Sequence, residues 1–272
     1  MKKLLLIIFC VLFISPVFAV TDKYSEDYLK SKKHFSITKP FVETIAEKKI
    51  EKALKRSLGN TCDVVIRGYS VSSMKQGILK NIEFKGEDLI IEEIEIPYLS
   101  IVSLSDYNYI DYTQKPIAYK SDMTYAYKIK LSENSLNQAL DKKDYQKTLR
   151  KVNALAYPLF ALNNVDIKIS NNKLHTIMSY NFPLFPTNKN KTFTVSSALK
   201  VENHKILADK VNFKGTYSNI TPEKVTNLLN LLDPLTFTLS IMNTKKCNTV
   251  VENVKIVDNI IEIDGKIYIK GE

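Results

Sequence analysis

Residues 81–96, NIEFKGEDLIIEEIEI, decide the fold class, because apolar and charged side chains alternate along almost the whole stretch. This period of two is typical of β-strands that bury one face and leave the other in solvent. Ile82 and Phe84 share the apolar face of the first half, opposite charged residues. In the second half, the pattern groups Ile90, Ile94 and Ile96.

The alternation breaks at Leu89 and Ile91, which are out of phase with their neighbours. We interpret the break as a bulge or twist near Ile91 and Glu92, of the kind that a strongly curved sheet needs. If such a sheet curves around an amphipathic helix, the space between them is apolar. That space is either filled by side chains or open to a ligand, and the pattern allows both.

The same pattern of alternating strand, polar turn and alternating strand recurs three times, and one further strand is predicted over residues 119–131. The recurrences are residues 164–180 with a turn at Asn171–Asn172, residues 193–213 with a turn at Glu202–Asn203, and residues 253–269 with a turn at Asp258–Asn259. We interpret them as repeated hairpins and not as a duplicated domain.

Helices are predicted between the strands. Thr38 and Pro40 mark the start of a long amphipathic helix that ends at Gly59–Asn60. Ser132 caps a first helical piece, and a second piece continues to Pro158. Thr221 starts another helix. The order of elements lacks a βαβ rhythm, which predicts an α+β protein with a large antiparallel sheet.

The first nineteen residues have the pattern of a secretory signal peptide: a basic start, eleven apolar residues and small residues before the boundary. Eleven is well below the roughly 18 needed to span a bilayer, although an uncleaved anchor is the alternative. We therefore expect an exported protein, periplasmic or secreted. We expect residues 1–19 to be the signal peptide, 20–36 a flexible lead-in and 37–272 a single domain.

The mature chain is basic, with 37 basic residues (39 less Lys2 and Lys3) against 29 acidic ones, a net charge of +8. Anionic lipid or cell-wall polymer is the expected kind of partner, and nucleic acid is not expected outside the cytoplasm. Cys62 and Cys247 each precede a strand-like run, so we expect a disulfide between neighbouring strand starts; two separate buried thiols are the alternative.

Catalytic and metal-binding motifs are not found in the sequence. The histidines lack a second His or Cys at metal-ligand spacing, so no metal or other cofactor is expected. Glu93 and Glu95 share one face of a strand, which keeps an envelope hydrolase as a minor alternative. The sequence favours binding over catalysis.

The segment NFPLFPTNKNK (residues 181–191) is predicted to be a loop, because its prolines prevent regular strand pairing. Apolar residues beside lysines suit contact with an anionic membrane surface, whereas a loop folded onto the core is the alternative. The expected contact residues are Phe182, Leu184, Phe185, Lys189 and Lys191.

The succession GILKNIEFKGEDLIIEEIEI, YAYKIKL and SENSLNQAL resembles the LmeA-type phospholipid-binding family, and FTVSSALKVENHKI and TVVENVKIVDNIIEIDGKI are similar to its further hairpins. The resemblance covers about residues 45–271. It implies a tubular lipid-binding fold, similar to one barrel of the bactericidal/permeability-increasing protein. In that fold a highly curved antiparallel sheet wraps around a long helix and leaves an elongated apolar cavity. The loop at residues 181–191 departs from the family pattern.

We therefore expect an exported phospholipid-binding protein without enzymatic activity that holds acyl chains in an apolar cavity. A structural or interaction domain with a filled core is the main alternative. The expected lipid-binding residues are Ile82, Phe84, Ile94, Ile96, Val211, Phe213, Leu228, Leu231 and Leu232.

Overall fold

Antiparallel strands and a smaller number of helices build the protein. The structure is a computed structural model that describes residues 39–111, 114, 118–157, 161–184, 191–215, 232–239, 242 and 246–272. The helices are α1 (Lys39–Leu58), α2 (Val71–Lys75), α3 (Glu133–Leu140), α4 (Lys143–Ala156) and α5 (Pro234–Leu239). The strands are β1 (Cys62–Gly68), β2 (Ile78–Ile91), β3 (Ile94–Ser103), β4 (Asn108–Asp111), β5 (Ala118–Tyr119), β6 (Met123–Leu131), β7 (Ala161–Ser170), β8 (Lys173–Asn181), β9 (Lys191–Glu202), β10 (Lys205–Gly215), β11 (Cys247–Val257) and β12 (Ile260–Ile269).

The strands form two antiparallel sheets. The larger has eight strands in the order β11-β12-β6-β3-β2-β4-β5, with β1 also paired to β2, and the smaller has the order β10-β9-β8-β7. A backbone hydrogen bond of 3.4 Å from Val251 to the His204 carbonyl connects them. The α+β class with antiparallel sheets is therefore confirmed. The predicted signal peptide, lead-in and helix from Thr221 lie outside the described residues.

Hairpin turns with positive φ at both central residues connect the strand pairs. The predicted turns at Asn171–Asn172 and Asp258–Asn259 are confirmed, and the third turn lies at Asn203–His204, one residue later than predicted. Asn and Asp tolerate this left-handed backbone, and the mirror-image turn matches the right-handed twist of the flanking strands. The first hairpin turns at Glu92–Glu93, although neither residue favours that conformation.

The predicted bulge near Ile91 and Glu92 is wrong, because this position is the hairpin turn itself. The alternation of inward and outward side chains along β2 changes phase earlier, at Asp88, which has a φ of 49°. From there Leu89 and Ile91 point inward, whereas Ile90, which the pattern placed inside, is 50% exposed. The partner strand β3 changes face opposite this point, between Ile96 and Leu99, so the pairing register continues unbroken.

The long helix α1 lies along the edge strand β1, and its glutamates complete that strand's hydrogen bonds. Oε1 of Glu43, Glu47 and Glu51 accepts hydrogen bonds from the backbone amides of Gly68 (2.9 Å), Ile66 (3.0 Å) and Val64 (3.2 Å). Four helical residues advance about 6 Å and two strand residues about 6.6 Å, so the two ladders stay in step. We call these three residues the glutamate ladder. It covers an edge that would otherwise expose unpaired amides.

The free edge of β7 is covered in the same way by α3 and α4. The Asn137 side chain exchanges two hydrogen bonds with the backbone of Ile167 (2.8 and 3.0 Å), and Glu133 accepts from the amide of Ile169 (2.9 Å). Glu133 and Asn137 have the same spacing of four residues that the glutamate ladder uses. Helices therefore cover one edge strand of each sheet through side chain–backbone pairs.

One contiguous apolar cluster runs through both sheets and the helices. Leu54 and Leu58 of α1 lie in it with the inward residues of β2 and β3. The sheets do not close within the described residues, and α1 contacts β1 and β2 at one edge. These contacts do not confirm a sheet wrapped around the long helix.

The predicted disulfide is wrong for this structure. Cys62 and Cys247 are both buried, and neither forms a disulfide. Cys62 begins β1, which pairs with β2, whereas Cys247 begins β11 at the far edge of the same sheet. The two strand starts are therefore not neighbours, because four other strands lie between β1 and β11. Burial raises the pKa of the Cys62 thiol to about 11, which keeps it protonated.

Candidate functional site

The predicted lipid-binding residues fall into two groups. Ile82, Phe84, Ile94 and Ile96 are buried in the shared apolar cluster on β2 and β3. Leu232 is also buried there, and Val211 packs against the cluster from β10. Leu228, Leu231 and the side chain of Phe213 lie outside the described residues. The four residues on β2 and β3 therefore belong to a tightly packed core.

A cleft lies between the four-stranded sheet and the start of α5. Its volume is about 30 Å³, enough for a water molecule but far smaller than an acyl chain. Its polar lining consists of the hydroxyl-bearing residues Thr176 and Ser197 and of the carboxyl-bearing Asp233. Its apolar lining consists of Leu174, Leu199, Ile206, Leu207, Ala208 and Pro234.

The wall of this cleft that belongs to α5 is held by α4. The Tyr145 hydroxyl donates a hydrogen bond of 3.0 Å to the Leu232 carbonyl, and its ring packs edge-on against Phe237 at 5.7 Å. Asp233 caps α5 by accepting hydrogen bonds from the amides of Leu235 (2.9 Å) and Thr236 (3.2 Å). Burial raises the pKa of Asp233, against the opposing effect of these hydrogen bonds. The wall is therefore a short capped helix whose inner face, with Leu235 and Thr238, is buried in the core.

Sequence reasoning placed Leu232 beside this region but missed Thr176, Ser197 and Asp233. A signal was present in the sequence, because Thr176 and Ser197 occupy inward positions of alternating strands where aliphatic residues are expected. Such polar residues at apolar positions mark places where the interior holds hydrogen-bonding groups. Their joint location depends on the pairing of β8 with β9.

The predicted membrane-contact residues follow β8 and begin β9. Leu184 is exposed, and Phe182 packs partly against the apolar cluster. The Lys191 ammonium lies 5.6 Å from the centroid of the Phe182 ring. Phe185 and Lys189 lie outside the described residues. Within the described part of this loop, Phe182 folds back onto the core and Leu184 faces solvent, and contact with a membrane stays a prediction.

The carboxylates considered for a hydrolase lie on the surface. The Glu93 side chain is 90% exposed and lies 2.6 Å from the Lys142 ammonium, and Glu95 accepts a hydrogen bond of 2.7 Å from Asn134. His175 makes hydrogen bonds to the hydroxyls of Ser196 (2.7 Å) and Ser170 (2.9 Å). The two carboxylates therefore lie in exposed contacts with other surface side chains, and His175 is half-buried between two serine hydroxyls.

A lysine cluster surrounds Glu262 on the outer face of the larger sheet. The ammonium groups of Lys128, Lys130 and Lys255 lie 3.2, 2.9 and 2.9 Å from its carboxylate. Hydrogen bonds from Lys130 and Lys255 contribute most to lowering the pKa of Glu262 from 4.5 to about 2. The carboxylate offsets much of the repulsion among three cations on adjacent strands.

Glu262→Gln is expected to reduce the free energy of unfolding by about 1–2 kcal/mol at pH 7, after allowance for solvent screening. The folded-state pKa is lowered, so this stabilisation is fully present above pH 4.5 and is lost as the pH falls towards 2. Urea unfolding at pH 7 and pH 2.5 checks this. Glu202→Gln, which breaks the exposed pair with Lys200, is the control and should change little. Equal losses in both variants, or a Glu262→Gln loss as large at pH 2.5 as at pH 7, would contradict it.

Among the described residues, no helix has both the length and the apolar character needed to cross a bilayer. The same part of the chain contains no group of three His, Cys, Asp or Glu residues that could hold a metal ion. No family model, curated protein or solved structure matches the chain. The function must therefore be argued from the cleft, the core and the surface.

Proposed function

We propose that the protein binds an acyl lipid, with the acyl chain entering the apolar interior at the cleft between β8–β10 and α5. The observation that supports this is the lining of the cleft: six apolar residues with a few converging polar groups, which is the usual composition of a small-molecule site. An acyl chain that buries about 300 Å² would gain about 7 kcal/mol before the costs of binding.

Binding requires a wall of the cleft to move, because a volume of about 30 Å³ does not admit an acyl chain. The α5 wall is the candidate, since it is only six residues long; Tyr145 links it to α4, and its displacement would uncover the buried side chains of Leu235 and Leu239. In the bound state, the hydroxyls of Thr176 and Ser197 would face the ester groups of the lipid. The predicted wall residues Leu228 and Leu231 precede α5 in the chain and belong to the same proposal.

The test is organic extraction of the natively purified full chain followed by mass spectrometry. A phospholipid at near-stoichiometric amount is expected. Ala208→Trp, which places an indole in the cleft, should reduce the extracted lipid about tenfold. Ala154→Trp on the exposed surface of α4 is the matched control and should retain the lipid. A blank extract from the unaltered protein, or equal lipid in both variants, would refute the cleft proposal.

The alternative is a non-catalytic structural or interaction domain of the cell envelope. It is favoured by the dense packing of Ile82, Phe84, Ile94 and Ile96, which leaves little room around them. Under this alternative, Ala208→Trp would lower the thermal stability, and lipid would be absent from every extract. The same extraction therefore separates the two functions.

A further inference from the structure

One end of the four-stranded sheet brings three chain segments together. Ala161, the first residue of β7, pairs with Asn181, the last residue of β8. Tyr180 pairs with Lys191, the first residue of β9. Residues 182–184 therefore leave the sheet at the end where β7 and β9 begin.

The C-terminal end of α4 is fixed at this same end of the sheet. The Asn153 side chain donates a hydrogen bond of 2.7 Å to the Leu162 carbonyl and accepts one of 2.8 Å from the Leu162 amide. Leu155 and Tyr157 follow within four residues of this anchor. The last turn of α4 thus lies beside the start of β7.

Three large apolar side chains at this end face solvent. The exposed fractions are 87% for Leu155, 68% for Tyr157 and 53% for Leu184, among the highest of the large apolar residues described. We call these three residues the apolar tip. Phe182, two residues before Leu184, packs its ring edge-on against Tyr180 at 5.5 Å, which fixes the start of this loop on the sheet. Exposed apolar groups gathered at one place mark a contact surface more strongly than the same groups scattered singly.

Positive charge runs along α4 towards the apolar tip. The helix carries four basic residues and one acidic residue, a net charge of +3 (4 − 1). Lys147, Lys151 and Leu155 follow at intervals of four residues, so they lie along one helical face, and all three are exposed. Arg150 is exposed beside them. Lys191, the first residue of β9, adds a further cation at this end of the sheet, 5.6 Å from the Phe182 ring.

We propose that the apolar tip inserts into the interfacial layer of an anionic membrane, with Lys147, Arg150, Lys151 and Lys191 against the lipid phosphates. Apolar side chains at the end of a basic face suit this boundary, because the chains enter the acyl region while the cations remain at the headgroups. The positive charge of α4 beside the apolar tip favours an anionic lipid surface over an apolar protein partner. The proposal extends the membrane-contact prediction from one loop to α4, and it does not depend on an acyl chain occupying the cleft.

A tryptophan reporter tests the insertion directly, because the natural chain contains no tryptophan. Leu184→Trp is mixed with vesicles of phosphatidylcholine containing phosphatidylglycerol, and with vesicles of phosphatidylcholine alone. A blue shift of the indole emission and quenching by brominated lipid are expected with the anionic vesicles. Val257→Trp, at an exposed position on the larger sheet, is the control and should show neither. Emission of Leu184→Trp that is unchanged by anionic vesicles would overturn the proposal.

Vesicle co-sedimentation then separates the apolar and charged contributions. The triple change Leu155→Ser, Tyr157→Ser and Leu184→Ser should weaken binding at least about tenfold, and so should Arg150→Gln with Lys151→Gln at low salt. Ile90→Ser with Tyr268→Ser changes exposed apolar residues elsewhere and should bind like the natural protein. Equal binding by the triple variant, or an equal loss in the control, would refute the tip. If the natural protein binds the anionic vesicles as expected but yields no lipid on extraction, the membrane-docking surface is supported and the proposed acyl-lipid binding is refuted.

Discussion

Replacing Glu43, Glu47 and Glu51 together by methionine is expected to lower the free energy of unfolding by about 4 kcal/mol. Methionine has a similar length but no acceptor, so the amides of Val64, Ile66 and Gly68 lose their partners. A hydrogen bond to a charged group contributes about 1.5–3 kcal/mol, and the three effects overlap because they share one helix. At this chain length the loss corresponds to a fall in Tm of about 8–16 °C.

The matched control is the triple glutamine variant, which retains a neutral acceptor at each position and should lose less than half as much stability. Hydrogen exchange gives a second measurement. The amides of Ile66 and Gly68 should exchange much faster in the methionine variant, while those of Asp63 and Val65, which alternate towards β2, stay protected. Equal stability of the methionine and glutamine variants would mean that α1 is held by its apolar face alone.

Gly265→Ala is expected to lower the free energy of unfolding by about 3 kcal/mol, because β12 has no room for a methyl group at this position. An added Cβ would lie 2.1 Å from the Val250 carbonyl oxygen and 2.8 Å from the Tyr127 ring and hydroxyl. The carbonyl belongs to the paired strand β11 beside a bulge at Val251–Asn253, so relief requires a shift of the backbone. Thermal unfolding followed by circular dichroism measures the effect.

Gly86→Ala provides the comparison for this substitution. Gly86 also lies in a strand of the larger sheet, but the added Cβ would meet only the side chain of Leu89, at 2.8 Å. Leu89 is fully buried, so its side chain must shift within the core, but no backbone atom is in the way, and the loss there should be smaller, about 1–2 kcal/mol. If Gly86→Ala were as costly as Gly265→Ala, the backbone contact at Val250 would not be the cause.

Several features of the fold could be predicted because their signals are local. The end of α1 at Gly59 follows from a glycine with a φ of 80°, and the turns at Asn171–Asn172 and Asp258–Asn259 follow from residues that tolerate positive φ. The turn of the first hairpin could not be predicted, because Glu92 and Glu93 have no preference for positive φ. The hairpin's change of face at Asp88 occurs on both strands together, and only the pairing of β2 with β3 reveals that.

The candidate site could be predicted less well, because it depends on contacts between distant segments. Leu232 and Leu184 were identified from apolar character alone. Thr176, Ser197 and Asp233 come together from three separate segments, and the Asn153–Leu162 link places the end of α4 at the end of the sheet from which Leu184 leaves. The expected pairing of Cys62 with Cys247 failed for the same reason, since the order of strands, and not the position of their starts in the chain, sets which cysteines are neighbours.

By itself, the sequence determined the α+β class, the antiparallel hairpins and the buried face of the strands outside the phase change at Asp88, because a period of two and a tight turn are encoded within a few residues. The tertiary structure alone decided which edge each helix covers, where the interior reaches the surface and which exposed side chains meet. Those features arise when carboxylates, amides and strand ends far apart in the chain are brought within hydrogen-bonding distance. The alternating stretch at residues 81–96 thus fixed a buried face, and the fold made that face part of a packed core.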